Sequence, residues 1–349
     1  MATSAAVTLP KPPLRVSVIV ERAFAYALLT AVAVWLIANL AKSPSSFASA
    51  IVIGISNGAL YALLALGYSL VYGIIELINF AHGDLFMLGT IFSALVVDRW
   101  FDQHGGTSLT GWLALLAALI LTATFCAAIN VAIEFFAYRR LRHAPKLAPL
   151  ITAVGMSFVL QFVGLKWNGS SPKSVASVLP KGGFSIFGVD FYWSYTIAFL
   201  ITIPILLVVS WLVTKTRMGK AMRATAQDQD AARLMGVNVN RIISMTFALG
   251  GALAGVAAVM YAQTIGTVRY SLGMQLGMIA FTAAVLGGIG SLSGAVLGGF
   301  LIGILQALNE GAAYGAGQRW TQSVVFVVLI LVMVFRPGGL MNINTKEKV

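Results

Sequence analysis

The chain is written as long apolar runs separated by short polar breaks. Runs suited to crossing about 30 Å of hydrocarbon, a task for roughly 17–25 helical residues, lie near residues 23–41, 51–72, 112–136, 147–165, 195–213, 243–262 and 321–335. Two stretches fit less neatly. Residues 83–97 are short and follow a polar break, and residues 275–308 are too long for one crossing and are split by a glycine-rich string at 287–294. No segment alternates with the period of a strand, so the pattern predicts an all-α polytopic transmembrane bundle rather than a barrel. Ten crossings are expected, or eight with re-entrant elements, because residues 275–308 must supply two short crossings or a turning pair.

Composition narrows the class. Hydrophobic residues make up 59% of the 349 and charged residues only 10%, against about 25% charged in soluble domains. That excludes a soluble enzyme, a disordered chain and a disulfide-built secreted module. The one cysteine, Cys126, cannot close an internal disulfide and lies in an apolar run, where packing is its expected role.

The net charge of +12 suggests nucleic acid until its distribution is read. Of the 23 Lys and Arg, 16 fall in residues 1–22, 138–147, 214–242 and 336–349, between apolar runs. Cytoplasmic loops of membrane proteins carry this excess. Placing the four segments inside gives an N-in, C-in topology with every long run in register. Nucleic acid drops out as a partner, and lipid headgroups take its place. Near the start, Arg22, an apolar stretch and Ala48-Ser49-Ala50 outline a signal peptide with its cleavage site. The run is longer than a usual signal core and the site lies well past its end, so a retained helix is expected. Pro10, Pro12 and Pro13 mark residues 1–20 as a disordered cytoplasmic tail.

The longest hydrophilic stretch, residues 214–242, has its own order. Residues 218–235 hold no proline, and their alanines favour one surface helix. Gly236 is placed to end that helix in a left-handed conformation, and Asn238 or Asn240 to cap the next. A charged, solvated connection is the plain alternative to a docking knob.

Polar residues also interrupt the chain after Tyr72: Glu76, Asn79, His82, Gly83 and Asp84 follow closely. Ionisable groups at membrane depth mark functional sites. The same residues could equally be hydrated at the inner interface, with His82 capping a helix. Gly287, Gly288, Gly290, Gly294, Gly298 and Gly299 suit either a broken helix near a transport path or a tight packing seam. Glu134 stands close to Tyr138, Arg139 and Arg140, where a local ion pair is expected. No phosphate-binding G-x-x-x-x-G-K-[ST] motif occurs. No nucleophile–base set or His/Cys cluster emerges either, so no catalytic residue, metal or cofactor is expected.

Two strings carry a family resemblance. Asp230-Ala231-Ala232-Arg233-Leu234-Met235-Gly236 resembles the E-A-A-x-x-x-G coupling element of ABC importer permeases, with Asp in place of Glu. Tyr61-Ala62-Leu63 through Gly67, Val71-Tyr72-Gly73, and Ile78-Asn79-Phe80-Ala81-His82-Gly83-Asp84 resemble the permeases of branched-chain amino-acid ABC importers, in the Asn-Phe-Ala-His-Gly form of their two permease subunits. The late string from Ala283 to Ala295 is similar to that family's glycine-rich segment. The resemblance spans about residues 50–336. It implies a non-enzymatic importer subunit in a bacterial inner membrane, moving branched-chain or related amino acids by alternating access. The implied partners are cytoplasmic ATP-binding subunits, a second permease and a periplasmic substrate-binding protein.

On that resemblance, Asp230, Ala231, Ala232 and Gly236 would form the ATPase-coupling contact, while Asn57, Tyr61, Asn79 and His82 would line the path, with plain helix packing as each one's alternative. Residues 1–22 would be a cytoplasmic tail, 23–48 an extra helix and linker, 49–336 the permease domain and 337–349 a second cytoplasmic tail. Carriage of urea, short amides or another small solute is the alternative within the family. A proton-coupled secondary transporter using Glu76, His82 and Asp84 is the rival outside it.

Overall fold

The computed structural model describes residues 15–101, 108–142, 144, 145, 147–336 and 338–341. Local signals set the helix boundaries. α1 (Arg15–Lys42) gives way at Ser43 to α2 (Pro44–Ile75), which opens on a proline whose missing N–H costs nothing there. α1 thus begins before the expected 23–41 run, while residues 1–14 of the expected tail, with Pro10, Pro12 and Pro13, lie outside the described residues. α2 stops at Glu76, whose left-handed backbone (φ +52°) turns its N–H onto the Tyr72 carbonyl at 2.8 Å. α3 (Ala81–Phe101) follows a bend over residues 77–80.

α4 (Leu109–Ile133) starts at Ser108, whose Oγ accepts from the Gly111 N–H at 3.1 Å. It runs into one π turn (Glu134–Tyr138) and a short 3-10 turn (Arg139–Leu141). After α5 (Leu147–Asn168), the connecting loop contains β1 (Lys173–Ser174) and a hairpin of β2 (Gly183–Ile186) and β3 (Val189–Tyr192). β1 pairs antiparallel with β4 (Thr267–Val268), tying this loop to the chain just beyond the helix that ends at Ile265.

α6 (Trp193–Lys215) descends to two short helices, α7 (Arg217–Gln227) and α8 (Gln229–Leu234), and α9 (Val239–Ile265) returns. At 1.5 Å per residue, the 27 residues of α9 span about 40 Å, so its two ends mark opposite faces of the bundle. α10 (Leu272–Gly287) and α11 (Leu292–Gly311) form a pair turning at Gly288-Ile289-Gly290, and α12 (Thr321–Phe335) completes the fold. Eight helices are long and apolar enough to cross a membrane among the described residues, and Tyr26–Lys42 and Leu272–Gly287 are shorter apolar helices. The turning pair expected within residues 275–308 is therefore α10 with α11.

α2 sits at the centre, its residues from Gly58 to Val71 all buried against α3, α9, α10 and α11. α4, α5, α6 and α12 leave large apolar side chains such as Ile120, Phe158, Leu207 and Ile330 exposed, as lipid-facing helices require. Small residues at four-residue spacing let α2 and α11 touch backbone to backbone: Gly54, Gly58 and Ala62 face Gly299, Gly303 and Ala307. The first helix is docked at the same face of the molecule as the end of α11. Trp35 Nε1 donates to the Tyr314 carbonyl at 2.9 Å, and the Tyr314 N–H donates to the buried Asn39 Oδ1 at 2.7 Å.

Candidate functional site

A cavity of about 530 Å³ opens at the face where α9 and α11 end, within the size range of ligand clefts. Ile53, Asn57 and Tyr61 recur every four residues on α2 and present one stripe to it. The buried Tyr61 hydroxyl donates to Gln306 Oε1 at 2.6 Å. One turn further along α11, Glu310 Oε1 accepts from Gln306 Nε2 at 3.0 Å and from Thr321 Oγ1 at 2.8 Å.

Arg269 lines the cavity from the turn between β4 and α10, its Nη2 donating to Gln275 Oε1 at 2.7 Å. Pairing of β4 with β1 fixes that turn. The hairpin reaches the rim, where the Asp190 N–H donates to Ser49 Oγ at 3.0 Å. Arg269, Gln306 and Glu310 were not picked out from the sequence. The available signal was modest: a carboxylate at the end of an apolar run, and one of seven cations off the basic face.

Asn79 and His82 lie elsewhere, in the core near the opposite end of α2. Asn79 Oδ1 accepts from the Tyr138 hydroxyl at 2.9 Å, and its Nδ2 donates to Asn130 Oδ1 at 3.4 Å. Asn130 in turn donates to the Phe247 carbonyl at 2.7 Å, joining α4 to α9. His82 is wholly buried, edge-on to Tyr68 with ring centroids 4.7 Å apart. It occupies the space left by Gly67, where a Cβ would come within 2.4 Å of His82 Nε2.

The alternative of hydrated residues at an interface holds only for Glu76, which is exposed; Asp84 is buried and accepts from Ser157, with Gln161 Nε2 at 3.3 Å. Thus Asn57 and Tyr61 share one cavity, whereas Asn79 and His82 belong to inter-helix packing clusters.

At the opposite face, the surface helix expected over residues 218–235 is two helices. Asp228 breaks it with an extended backbone, and its Oδ1 caps α8 by accepting from the Asp230 and Ala231 N–H groups at 2.8 and 3.0 Å. Asp is a favoured cap but a poor interior helix residue, which explains the break. Gly236 does adopt a left-handed conformation (φ +82°), with the Val237 N–H on the Ala232 carbonyl and the Gly236 N–H on the Arg233 carbonyl, both at 3.0 Å. Those two bonds are a Schellman motif.

Asn238, rather than Asn240, caps α9, its Oδ1 accepting from the Arg241 N–H at 3.1 Å. Asp230, Ala231 and Gly236 are exposed, Ala232 is tucked inward, and Leu234 and Met235 project into solvent at 89% and 84% exposure. Such apolar exposure is unusual on an otherwise charged element. Asp228→Ala is expected to cost about 1 kcal/mol locally. Faster hydrogen exchange at the Asp230 and Ala231 amides, with the membrane helices unchanged, is the measurement.

Behind this element lies a buried ionic knot. Glu134 is fully buried in the π turn and accepts from Arg139 Nε at 3.2 Å, from Ser244 Oγ at 2.6 Å and from Arg142. Arg142 Nη1 also donates to Asn240 Oδ1 at 2.6 Å. The expected partner Arg140 points outward instead, because the turn after α4 carries Arg142 back beneath Glu134. Burial pulls the Arg142 guanidinium below its ordinary pKa, and Glu134 beside it pulls the other way.

A lipid-facing helical bundle with a polar cavity at one face and a rigid, partly apolar knob at the other is built as a membrane permease. Comparison with known proteins gives the family. Residues 50–334 match the model of the branched-chain amino acid transport system permease component. The chain is 39% identical over 300 residues to the high-affinity branched-chain amino acid transport system permease protein BraD of Pseudomonas aeruginosa, covering 85% of this chain and 96% of the relative. It is 37% identical, with the same coverage, to the corresponding permease protein LivH of Escherichia coli. A probable LivH of Methanocaldococcus jannaschii is 27% identical over 297 residues, covering 82% of this chain and 90% of that protein. The chain belongs to this family of permease components.

Proposed function

We propose that the chain carries branched-chain amino acids across the bacterial inner membrane as one permease subunit of an ATP-driven importer. The observation that carries this reading is the family match over nearly the whole helical body, residues 50–334, with relatives whose names state that transport. The permease domain is then residues 49–336, with α1 as an added helix and the N- and C-terminal tails inside. The sixteen cations of the four basic segments, among them those of α7 and α8, support reading the α7–α8 face as cytoplasmic and the cavity face as periplasmic.

In this arrangement a periplasmic binding protein delivers substrate at the cavity face. The ATPase subunits grip α8 from below, because this chain carries no phosphate-binding loop of its own. Asp230, Ala231, Ala232 and Gly236 form the coupling contact. The small alanines permit close seating, and the Schellman turn at Gly236 passes the movement to α9 through the Asn238 cap. A second permease subunit completes the path, and the rocking of the two opens it to each side in turn. Asn57 and Tyr61 line the path on this subunit, while Asn79 and His82 hold the helices that move.

Gly236→Pro tests the coupling. Proline cannot adopt φ +82° and lacks the N–H that the turn donates to Arg233. In cells whose leucine uptake depends on this chain, the variant is expected to cut uptake at least tenfold while remaining in the membrane. The native chain is expected to co-purify with an ATPase. Normal uptake by Gly236→Pro, together with a native chain that leaves the membrane without any ATPase, refutes the coupling contact.

A further inference from the structure

The periplasmic cavity carries opposite charges on two of its walls, and the described residues leave both free of a counter-charge. Arg269 spends one donor on Gln275, while a guanidinium has five. Glu310 accepts from two neutral groups, Gln306 and Thr321. Among the described residues no carboxylate pairs with Arg269 and no cation with Glu310. Neutral partners aim each charge without cancelling it. Tyr261 lines the same cavity. Ile53, Leu276 and Ile279 supply an apolar wall in the same space.

A cation, an anion and an aliphatic wall around one cavity match the three parts of an apolar α-amino acid: carboxylate, ammonium and branched side chain. We propose that Arg269 and Glu310 form a transit site for the amino-acid zwitterion, Arg269 meeting the carboxylate and Glu310 the ammonium, with the side chain against Ile53, Leu276 and Ile279. The inference rests on the import reading above and adds to it the groups by which the permease itself recognises substrate. Arg269 is half-buried and Glu310 is exposed to the open cavity, so water screens the pair and the hold is weak. A translocation path needs that weakness, since substrate must leave as readily as it enters.

The test uses the complete importer in lipid vesicles, with leucine-loaded binding protein outside and ATP on the ATPase side. Arg269→Gln and Glu310→Gln are each expected to lower leucine moved per ATP hydrolysed at least fivefold. Arg269→Lys, which keeps the cation, is expected to recover half or more of the native ratio. Native ratios in both glutamine variants overturn the site. So does a uniform fall in all three variants with Arg269→Lys no better than Arg269→Gln, which assigns these residues to structure alone. Should the native importer move none of leucine, isoleucine and valine, the import reading itself fails, an outcome separate from either of these.

Discussion

Replacing Gly303 with leucine is expected to unseat α11 from α2 and to cost about 3 kcal/mol, the upper end of the usual range for overpacking. A Cβ at Gly303 would lie 2.3 Å from both the N and the Cα of Gly58 and 2.6 Å from the Gly54 carbonyl oxygen. All three are backbone atoms, so no rotamer change relieves the clash and the helices must part. The seam is tight from the other side too, because a Cβ on Gly58 would meet the Phe300 Cα at 2.7 Å.

Lipid offers little hydrophobic drive to reseal such a gap, since membrane helices associate through close packing itself. α11 also carries Gln306 and Glu310 into the cavity, so leucine uptake is expected to fall along with stability. Thermal unfolding of the purified protein in detergent reads the first effect. Gly155→Leu is the control: a Cβ at this exposed position on α5 meets nothing within 4 Å, and an unchanged midpoint is expected. A Gly303→Leu midpoint equal to that of the control would show that the seam adds no stability.

That seam illustrates what was legible in the sequence. The apolar runs announced nearly every helix, because a chain in lipid must satisfy its backbone within each segment and so has few alternatives to a helix. The turn at Gly236 and a cap at Asn238 or Asn240 were legible for the same kind of reason: each depends on a few adjacent residues. Asp228 was a local signal too, and its capping preference outweighed the helical preference of the alanines around it.

What was not legible is what joins distant positions. Gly303 announces a close approach without naming Gly58 as its partner. Tyr61 and Gln306 are 245 residues apart, and nothing along the chain brings Arg269 and Glu310 to one cavity. Asn79 and His82 carry polar groups in an apolar neighbourhood, which is equally the mark of a path and of a packed helix crossing. In the fold Asn79 meets Tyr138 and Asn130, and His82 meets Tyr68, all of them distant in sequence or on another helix.

The ionic knot at Glu134 joins fold to coupling and sets the second large effect. Glu134→Gln is expected to cost about 3–5 kcal/mol, the usual result of removing one member of a buried charge pair. The glutamine would leave Arg139 and Arg142, at 32% and 12% side-chain exposure, without their shared anion. Removing Arg142 together with Glu134 is milder, because only Arg139, the more exposed of the two cations, then stays without an anion. Glu134→Met with Arg142→Met is therefore expected to unfold at a higher temperature than Glu134→Gln alone.

A further consequence follows from where the knot's arms reach. Arg142 holds Asn240 and Arg139 holds Ser244 at 2.8 Å, both on the first turns of α9, immediately after the Gly236 turn and the Asn238 cap. Glu134 itself belongs to the end of α4, in a π turn of the kind found at functional sites. Under the proposed coupling, movement received by α8 would reach two helices through one set of hydrogen bonds. In the complete importer assembled with folded variant recovered at low temperature, Glu134→Gln is expected to lower the leucine moved per ATP hydrolysed by the ATPase subunits. A native ratio in that protein would reduce the knot to a stability element and leave α9 alone to transmit the stroke.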